Sequence, residues 1–303
     1  MTEWESRTEI KERLDVGKVL VFGASGLVGG RFLELLSGDF VTPGSSELDL
    51  RNTRQVKDFL KKENPRWVIN FAADTDVFEA EKQRGDKSGS CWQTNVEGTR
   101  NLVAALPLHT RLIHISTDMV FSGSAADPGS YSADHQPETD SQKLTWYGYT
   151  KAEAERRVKD RGTIVRLIYP VRANFAAKLD YLRKPLALFS QGRLYPLFDN
   201  QKISITSIDE ACLGLREIIT RNLLGIFHMS CPDTTTPYEI ITYMLQQLGK
   251  DTSGVQRTSI DTVKNPVRYP KFGGLSVGDI EKTLGIRFSS WREIVDKLIE
   301  QGI

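Results

Sequence analysis

A glycine-rich segment near the start of the chain, VLVFGASGLVGG, constrains the fold more than any other part of the sequence. Residues 18–22 have the apolar, β-branched composition of a buried parallel strand, and residues 27–36 carry apolar side chains at helical spacing. Gly23, Gly26 and Gly29 therefore mark a junction between strand and helix. In that order they allow a tight turn, close approach of the backbone to a diphosphate, and close packing of helix on sheet. The segment predicts a dinucleotide-binding turn.

Strand-like and helical runs alternate through the first half of the chain. Because parallel strands need crossover helices, this alternation predicts an α/β fold with a doubly wound parallel sheet. The carboxyl ends of its strands then share one edge, where a ligand is expected. The predicted strands are 18–22, one near Phe40, 67–71, 112–116 and 164–168, and the predicted helices are 53–62, 91–106 and 148–160.

Changes of pattern along the chain suggest its division into parts. Residues 1–16 are rich in charge and are predicted to form a polar extension outside the fold. Residues 17–170 form the predicted dinucleotide-binding domain, to which residues 203–230 return. Prolines punctuate shorter elements after residue 170, so 171–202 and 231–303 are assigned to a smaller substrate-binding part.

Composition excludes several classes of function. The 303 residues include 40 basic and 39 acidic ones, and a net charge of +1 gives no field to attract nucleic acid or anionic lipid. The partner expected is therefore a small molecule. Three widely spaced cysteines without a CxxC pair indicate a reducing compartment, and four histidines without paired spacing predict no metal site. With no apolar run of membrane-spanning length and no signal-peptide core, the sequence favours a cytoplasmic protein without a membrane partner.

Two places at the expected ligand edge carry reactive side chains. Tyr147 and Lys151 are four residues apart, on one face of a predicted helix. An ammonium next to a phenol favours the phenolate, so the pKa of Tyr147 is expected to fall below its ordinary value of about 10. Ser116 and Thr117 end a predicted strand, and either hydroxyl could polarise a carbonyl oxygen while Tyr147 delivers a proton.

Six motifs, in this order, resemble the extended short-chain dehydrogenase/reductase family: GASGLVG, INFAADTDV, NVEGTRNL, ISTDMVFSG, PETD and YGYTK. Within it they are most similar to the dTDP-4-dehydrorhamnose reductase branch. The resemblance implies a Rossmann fold, a possible homodimer, and hydride transfer from a nicotinamide to the C4 ketone of a nucleotide-linked 6-deoxysugar. It also implies that Thr117 and Tyr147 contact the ketone oxygen, that Tyr147 protonates it, and that Lys151 holds the ribose hydroxyls and tunes Tyr147.

The same matching assigns further residues to ligands. Those implied to bind the cofactor are Gly23, Ser25, Gly26, Leu27, Val28, Asp49, Leu50, Ala72, Ala73, Ser116, Tyr147, Lys151, Tyr169 and Pro170. Those implied to bind the substrate are Thr117, Asp118, Met119, Asn174 and Phe175.

The identity of the cofactor is partly readable. Residues 42–46, after the second predicted strand, include no carboxylate to bind a ribose 2′-hydroxyl, which favours NADPH over NADH. Arg31 or Arg51 could pair with the 2′-phosphate. Glu47 and Asp49 are near enough in sequence to keep NADH open.

Two alternatives remain open from the sequence. One is a bifunctional nucleotide-sugar 3,5-epimerase/4-reductase, whose members carry a cysteine where this chain has Met119. A thioether cannot exchange protons, which favours reduction alone. The other alternative is a non-catalytic subunit resembling the regulatory β subunit of methionine adenosyltransferase, and the presence of Thr117, Tyr147 and Lys151 argues against it.

Overall fold

The computed structural model describes residues 11–262 and 267–303. The strands are β1 Glu12–Phe22, β2 Leu36–Val41, β3 Trp67–Asn70, β4 Arg111–Thr117, β5 Thr163–Leu167, β6 Pro170–Val171, β7 Leu197–Phe198, β8 Thr206–Ser207, β9 Ile226–Met229 and β10 Arg257–Thr258. The helices are α1 Leu27–Leu35, α2 Thr53–Glu63, α3 Val77–Lys82, α4 Ser90–Trp92, α5 Thr99–Ala105, α6 Trp146–Val158, α7 Arg183–Ser190, α8 Ile208–Thr220, α9 Pro237–Gln247, α10 Gly278–Leu284 and α11 Trp291–Glu300. A π-helical segment, Gln93–Gly98, joins α4 to α5, and short 3-10 turns occupy Asp118–Val120, Ser141–Lys143 and Ile260–Thr262.

Six parallel strands form the central sheet in the order β2-β1-β3-β4-β5-β9. One face packs against α1, α8 and α10, around residues such as Phe32, Leu215 and Ile280. The other face packs against α2, α5 and α6, around Val56 and Leu102. The predicted doubly wound α/β fold is therefore confirmed. From β1 the chain first adds β2 on one side and then crosses back to add β3 on the other side. At such a switch point the connections leave in opposite directions, and a crevice is expected at the carboxyl ends of β1 and β3.

The first strand is longer than the sequence predicts. β1 begins at Glu12, and its first residues pair with Leu36, Ser37 and Gly38 of β2. The prediction of an extension outside the fold is therefore wrong for residues 12–16, whereas residues 1–10 lie outside the described residues. Gly17, at φ +79°, lies where the ladder between β1 and β2 shifts register.

The C-terminal half contributes to two cores. β9 pairs with β5, and α8 packs below β1, so residues 203–230 supply part of the sheet layer. Helix α10 also packs against β9, which differs from the assignment of all of 231–303 to a separate part. A second core lies under α9 and α11 and includes Val171, Leu182, Ile240, Trp291 and Leu298.

Residues 11–262 and 267–303 show neither a membrane-spanning helix nor a metal-binding cluster. None of the helices there has the length and apolar character needed to cross a bilayer. No three histidine, cysteine, aspartate or glutamate side chains in the same ranges are grouped so that they could hold a metal ion.

Candidate active site

The glycine turn joins β1 to α1 at the crevice. Gly23 has φ +72°, and a Cβ there would lie 2.7 Å from the amide nitrogen of Ala72. Gly26 is the N-cap of α1 and supplies no side-chain hydrogen bond, so the first amides of the nine-residue helix keep their N–H groups for a ligand. A Cβ on Gly29 would lie 2.3 Å from the carbonyl oxygen of Gly23. The turn fits a dinucleotide diphosphate, since free amides and the positive end of the helix dipole attract anions.

Tyr147 and Thr117 meet where β4 and α6 converge. Thr145 caps α6 by accepting the N–H of Gly148 at 2.9 Å, which starts the helix one residue before Tyr147. Burial raises the pKa of Tyr147, the neighbouring carboxyl of Asp118 raises it further, and a hydrogen bond with Thr117 lowers it. The prediction of a lowered pKa is therefore wrong for the cofactor-free protein, because desolvation of the phenol dominates.

Lys151 lies one turn further along α6 and is 2 % exposed. Its Nζ donates to the carbonyl oxygen of Ile115 at 2.7 Å and lies 3.2 Å from Nε2 of His114. Burial lowers the pKa of Lys151 to about 8, against opposing effects of Glu155 and Cys91. The amine can therefore change its charge near neutral pH.

Asp118 directly follows β4 and is close enough to Tyr147 to raise the pKa of its phenol. It accepts a hydrogen bond from the Thr117 hydroxyl at 3.1 Å, and burial raises the pKa of its carboxyl to about 7. A Cβ on Gly273 would lie 3.6 Å from its Oδ2, so this carboxyl has backbone as a close neighbour. Tyr169 follows β5 with φ +38° and packs on Tyr181, with 4.1 Å between ring centroids. A carboxyl that is half-neutral near pH 7 and two aromatic rings suit the binding of a sugar.

Asn95 is a structural residue of the site that sequence reasoning missed. Its Oδ1 accepts the N–H of Asp74 at 2.9 Å, and its Nδ2 donates to the Asp74 carbonyl and to Oγ1 of Thr150 at 3.0 Å each. It lies within the π-helical segment, and such segments are frequent at functional sites. Asn95 ties the loop after β3 to α6. The motif NVEGTRNL marked the position but gave no partner.

Two of the residues implied to bind the cofactor, Asp49 and Leu50, lie just before the start of α2. Asp49 pairs with Arg51 at 2.8 Å on the surface, and the carbonyl oxygen of Leu50 accepts a hydrogen bond from Asn101 at 3.0 Å. Arg31 is not free, since it donates to both oxygens of Asp209 at 2.6 and 2.8 Å.

Other predicted cofactor residues lie at the strand ends. The N–H of Ala72 donates to Oδ1 of Asn70 at 3.1 Å. The hydroxyl of Ser116 is buried and has no hydrogen-bond partner within the part of the chain that the structure describes. An orphaned hydroxyl at the end of β4 fits a site that a ligand completes.

Asn174 and Phe175 lie beside α1, near Gly30 and Arg31. Asn174 donates to the carbonyl oxygen of Gln301 at 3.4 Å, and the ring of Phe175 lies 5.4 Å from the guanidinium of Arg172. A cavity of about 230 Å³ opens here, lined by Arg31, Arg172, Ala173, Asn174, Asp209 and Gln301. These two predicted substrate residues are thus placed beside α1 and the end of α11.

Comparison with known proteins agrees with this geometry. The family model described as the RmlD substrate binding domain matches residues 17–302. The chain belongs to this family. The resemblance stated from the sequence motifs is therefore confirmed.

Individual relatives cover most of the chain. It is 30% identical over 272 residues to a dTDP-4-dehydrorhamnose reductase of Streptomyces griseus, covering 84% of each chain. It is 34% identical over 262 residues to a probable dTDP-4,6-dihydroxy-2-methyloxan-3-one 4-ketoreductase of Streptomyces antibioticus, covering 84% of this chain and 85% of the relative. Among solved structures, a dTDP-4-dehydrorhamnose reductase of Bacillus anthracis in complex with NADP superposes with a TM-score of 0.82 at 23% identity, covering 96% of this chain and 100% of that one.

Proposed function

We propose that this protein is an NADPH-dependent oxidoreductase that reduces the C4 ketone of a nucleotide-linked 6-deoxysugar. One observation carries the proposal: the phenol of Tyr147 is hydrogen-bonded with the hydroxyl of Thr117 at the end of β4, one turn of α6 before the buried Lys151, in a chain of the RmlD family. The relatives from Streptomyces griseus and Streptomyces antibioticus are both named for the reduction of dTDP-linked sugars.

The chain's own groups would divide the work of this reaction. The first amides of α1 bind the diphosphate, and Lys151 binds the ribose hydroxyls. NADPH, when bound, supplies the hydride. Thr117 and Tyr147 donate hydrogen bonds to the ketone oxygen, which polarises the carbonyl and stabilises charge that develops on oxygen. Tyr147 then gives up its phenolic proton. Its raised pKa keeps that proton in place at neutral pH until the oxygen becomes basic enough to accept it.

Substrate binding is assigned to residues that the cofactor is not expected to contact: Asp118 and Met119, which follow Thr117, and Asn174 and Phe175. Asp118, whose carboxyl is half-neutral near pH 7, can both donate to and accept from sugar hydroxyls. Met119 is 7 % exposed and has no group that could exchange a proton at sugar C3 or C5. Asn174 and Phe175, which lie beside α1, would contact the diphosphate end of the substrate.

The preference for NADPH rests on charge near the adenine ribose. The loop of residues 42–46, after β2, holds no carboxylate that would repel a 2′-phosphate. Both arginines are paired with a carboxylate, but Arg51 is the better candidate for that phosphate, because its pair with Asp49 is half-exposed whereas the pair of Arg31 with Asp209 is more buried. The structurally similar reductase of Bacillus anthracis binds NADP. We also propose a cytoplasmic homodimer acting on a dTDP-sugar.

The decisive experiment supplies purified protein with NADPH or NADH and a panel of dTDP-, UDP- and GDP-4-keto-6-deoxysugars. We expect NADPH oxidation with a dTDP-sugar, and a product that carries no solvent deuterium at C3 or C5. Deuterium at these carbons would indicate an epimerase/reductase instead. Lack of turnover across the whole panel, together with co-purification of a larger enzyme, would overturn the proposal in favour of a regulatory subunit.

A further inference from the structure

Two buried residues behind Lys151 form a hydrogen-bonded chain to which the proposed reaction gives no role. His114 lies in β4, is 1 % exposed, and has its Nε2 3.2 Å from Nζ of Lys151. Its Nδ1 lies 3.3 Å from Nδ2 of Asn70, which ends β3 and is also 1 % exposed. Oδ1 of Asn70 accepts the backbone N–H of Ala72 at 3.1 Å. The chain therefore starts at a backbone donor and ends at the lysine.

The backbone donor fixes the direction of every bond in the chain. The N–H of Ala72 can only donate, so the Asn70 atom facing it must be the oxygen. The amide nitrogen of Asn70 therefore faces His114, and because an NH₂ group can only donate, Nδ1 of His114 must accept. A neutral imidazole has one donor and one acceptor nitrogen. Nε2 of His114 then carries the proton, and that proton points at Lys151.

An ammonium has no lone pair to accept this proton, whereas a neutral amine has one. We propose that Asn70 and His114 are positioning residues that favour the neutral amine of Lys151 in the cofactor-free protein. The amine accepts from Nε2 of His114 and donates one N–H to the Ile115 carbonyl oxygen. Its second N–H stays available for a ribose hydroxyl, so this step rests on the proposed function, in which Lys151 binds the cofactor.

The charged and titratable groups around Lys151 fit this arrangement. Glu155, on the same helix, and Cys91, on α4, raise the pKa of Lys151, but burial outweighs them. Burial and Lys151 itself hold the pKa of His114 well below its usual range, so the imidazole is neutral. Tyr147 precedes Lys151 by one turn and has a raised pKa. A neutral amine does not draw the phenol towards its phenolate, so Tyr147 keeps the proton that it must deliver.

The first test reads the tautomer directly, in cofactor-free protein labelled with ¹⁵N-histidine. We expect His114 to show the Nε2–H tautomer at pH 9, where Lys151, with a pKa of about 8, is mostly neutral. His228 serves as an internal reference: its Nε2 lies 3.2 Å from Nη1 of Arg166, which can only donate, so His228 should show the Nδ1–H tautomer. His114→Gln and His228→Gln assign the two signals. An Nδ1–H tautomer or an imidazolium at His114 would overturn the proposal.

The second test uses Asn70→Asp to reverse the direction of the hydrogen bonds between residue 70, His114 and Lys151. A carboxylate accepts from both the Ala72 N–H and Nδ1 of His114, so Nε2 becomes an acceptor that favours the ammonium. We expect the tautomer of His114 to reverse. We also expect NADPH affinity to change with pH around the Lys151 pKa of about 8, and this midpoint to rise by about 1 unit or more in the variant. A buried opposite charge shifts a pKa by that amount. His228→Gln is the matched control, replacing an equally buried strand histidine that does not contact Lys151, and should leave this midpoint unchanged.

The outcomes separate this proposal from the proposed function. A reversed tautomer with an unshifted NADPH midpoint would contradict control of Lys151 by the chain. If His114 shows the expected tautomer but no nucleotide sugar is reduced, the reductase function fails and the hydrogen-bonded chain stands. If a sugar is reduced normally while His114 shows the wrong tautomer, only the present inference fails.

Discussion

Two buried histidines on the central sheet each contact a buried basic side chain, and the two basic side chains are held in opposite ways. His114 of β4 faces Lys151, whose only other hydrogen bond within the described residues goes to the Ile115 carbonyl oxygen. His228 of β9 faces Arg166, which is fully buried in β5. Both histidines have pKa values below the ordinary one, because burial disfavours the imidazolium and a cation lies next to each.

The difference lies in the third partner. Arg166 donates to both carboxylate oxygens of Glu155, at 2.9 and 2.7 Å, and its guanidinium also lies over the ring of Phe121. An arginine is always charged, so its burial requires a carboxylate, and the pair has no proton to exchange. Lys151 has no carboxylate within hydrogen-bonding distance among the described residues, and it can lose its proton instead. The buried lysine without a carboxylate partner thus marks the reactive site, and the buried arginine bonded to both oxygens of a carboxylate marks a structural one.

The largest expected effect removes the acid on the reactive side. Tyr147→Phe should lower turnover by about 10² to 10⁴, the scale for loss of a general acid, because phenylalanine has no hydroxyl proton to give to the ketone oxygen. Steady-state rates with NADPH and the dTDP-sugar measure this. NADPH affinity and the urea midpoint should stay near those of the parent protein. A variant with near-normal turnover would remove Tyr147 from the mechanism and blur the distinction between the two sites.

Breaking the buried arginine–carboxylate pair should act on stability. Glu155→Gln leaves Arg166 charged and buried without a counter-ion, and we expect a loss of about 3 to 5 kcal/mol in the free energy of unfolding, measured in urea. Glu153→Gln is the matched control on the same helix, where the partner Arg156 is partly exposed. That control should change stability by under about 1 kcal/mol. Equal losses in the two variants would show that burial does not set the value of the Arg166 pair.

A third prediction concerns pH and the neutral histidines. The pKa of His228 is lowered to about 3, by burial first and by Arg166 second, while Asp134 opposes the shift. Its folded pKa lies below the unfolded value, so the stability that the neutral ring contributes is fully present above about pH 6.5 and is lost as the pH falls from there. Between pH 6.5 and 5, His228 alone should cost about 2 kcal/mol of the free energy of unfolding.

The comparison with His228→Gln isolates this contribution, since the carboxylates titrate alike in both proteins. Urea midpoints at several pH values between 5 and 7.5 give the difference. Stability of the parent protein should fall more steeply with acid than stability of the variant. Parallel curves would show that His228 is protonated in the folded protein, and the contrast with a neutral His114 would then be lost.

The sequence predicts those parts of the fold and site that are determined by residues close together in the chain. The glycine turn, the strand ends and the placement of Tyr147 and Lys151 follow from patterns within a dozen residues, and the structure has each where the pattern put it. The pairing of His114 with Lys151 spans 37 residues, so local spacing gives no sign of it. The direction of the Tyr147 pKa shift was wrong for a similar reason. Spacing reveals the neighbouring lysine but not the burial that dominates the shift.

The smallest expected effect tests the same kind of ion pair at the surface. Asp49 and Arg51 form an arginine–carboxylate pair at 2.8 Å, with side chains 37% and 53% exposed. Asp49→Asn should cost about 0.5 kcal/mol or less in the free energy of unfolding, because water screens both charges and solvates whichever is left alone. Raising the salt concentration to about 1 M should abolish even that difference, since the Debye length falls to about 3 Å. A loss approaching that of Glu155→Gln would mean that geometry, rather than desolvation, makes the Arg166 pair strong.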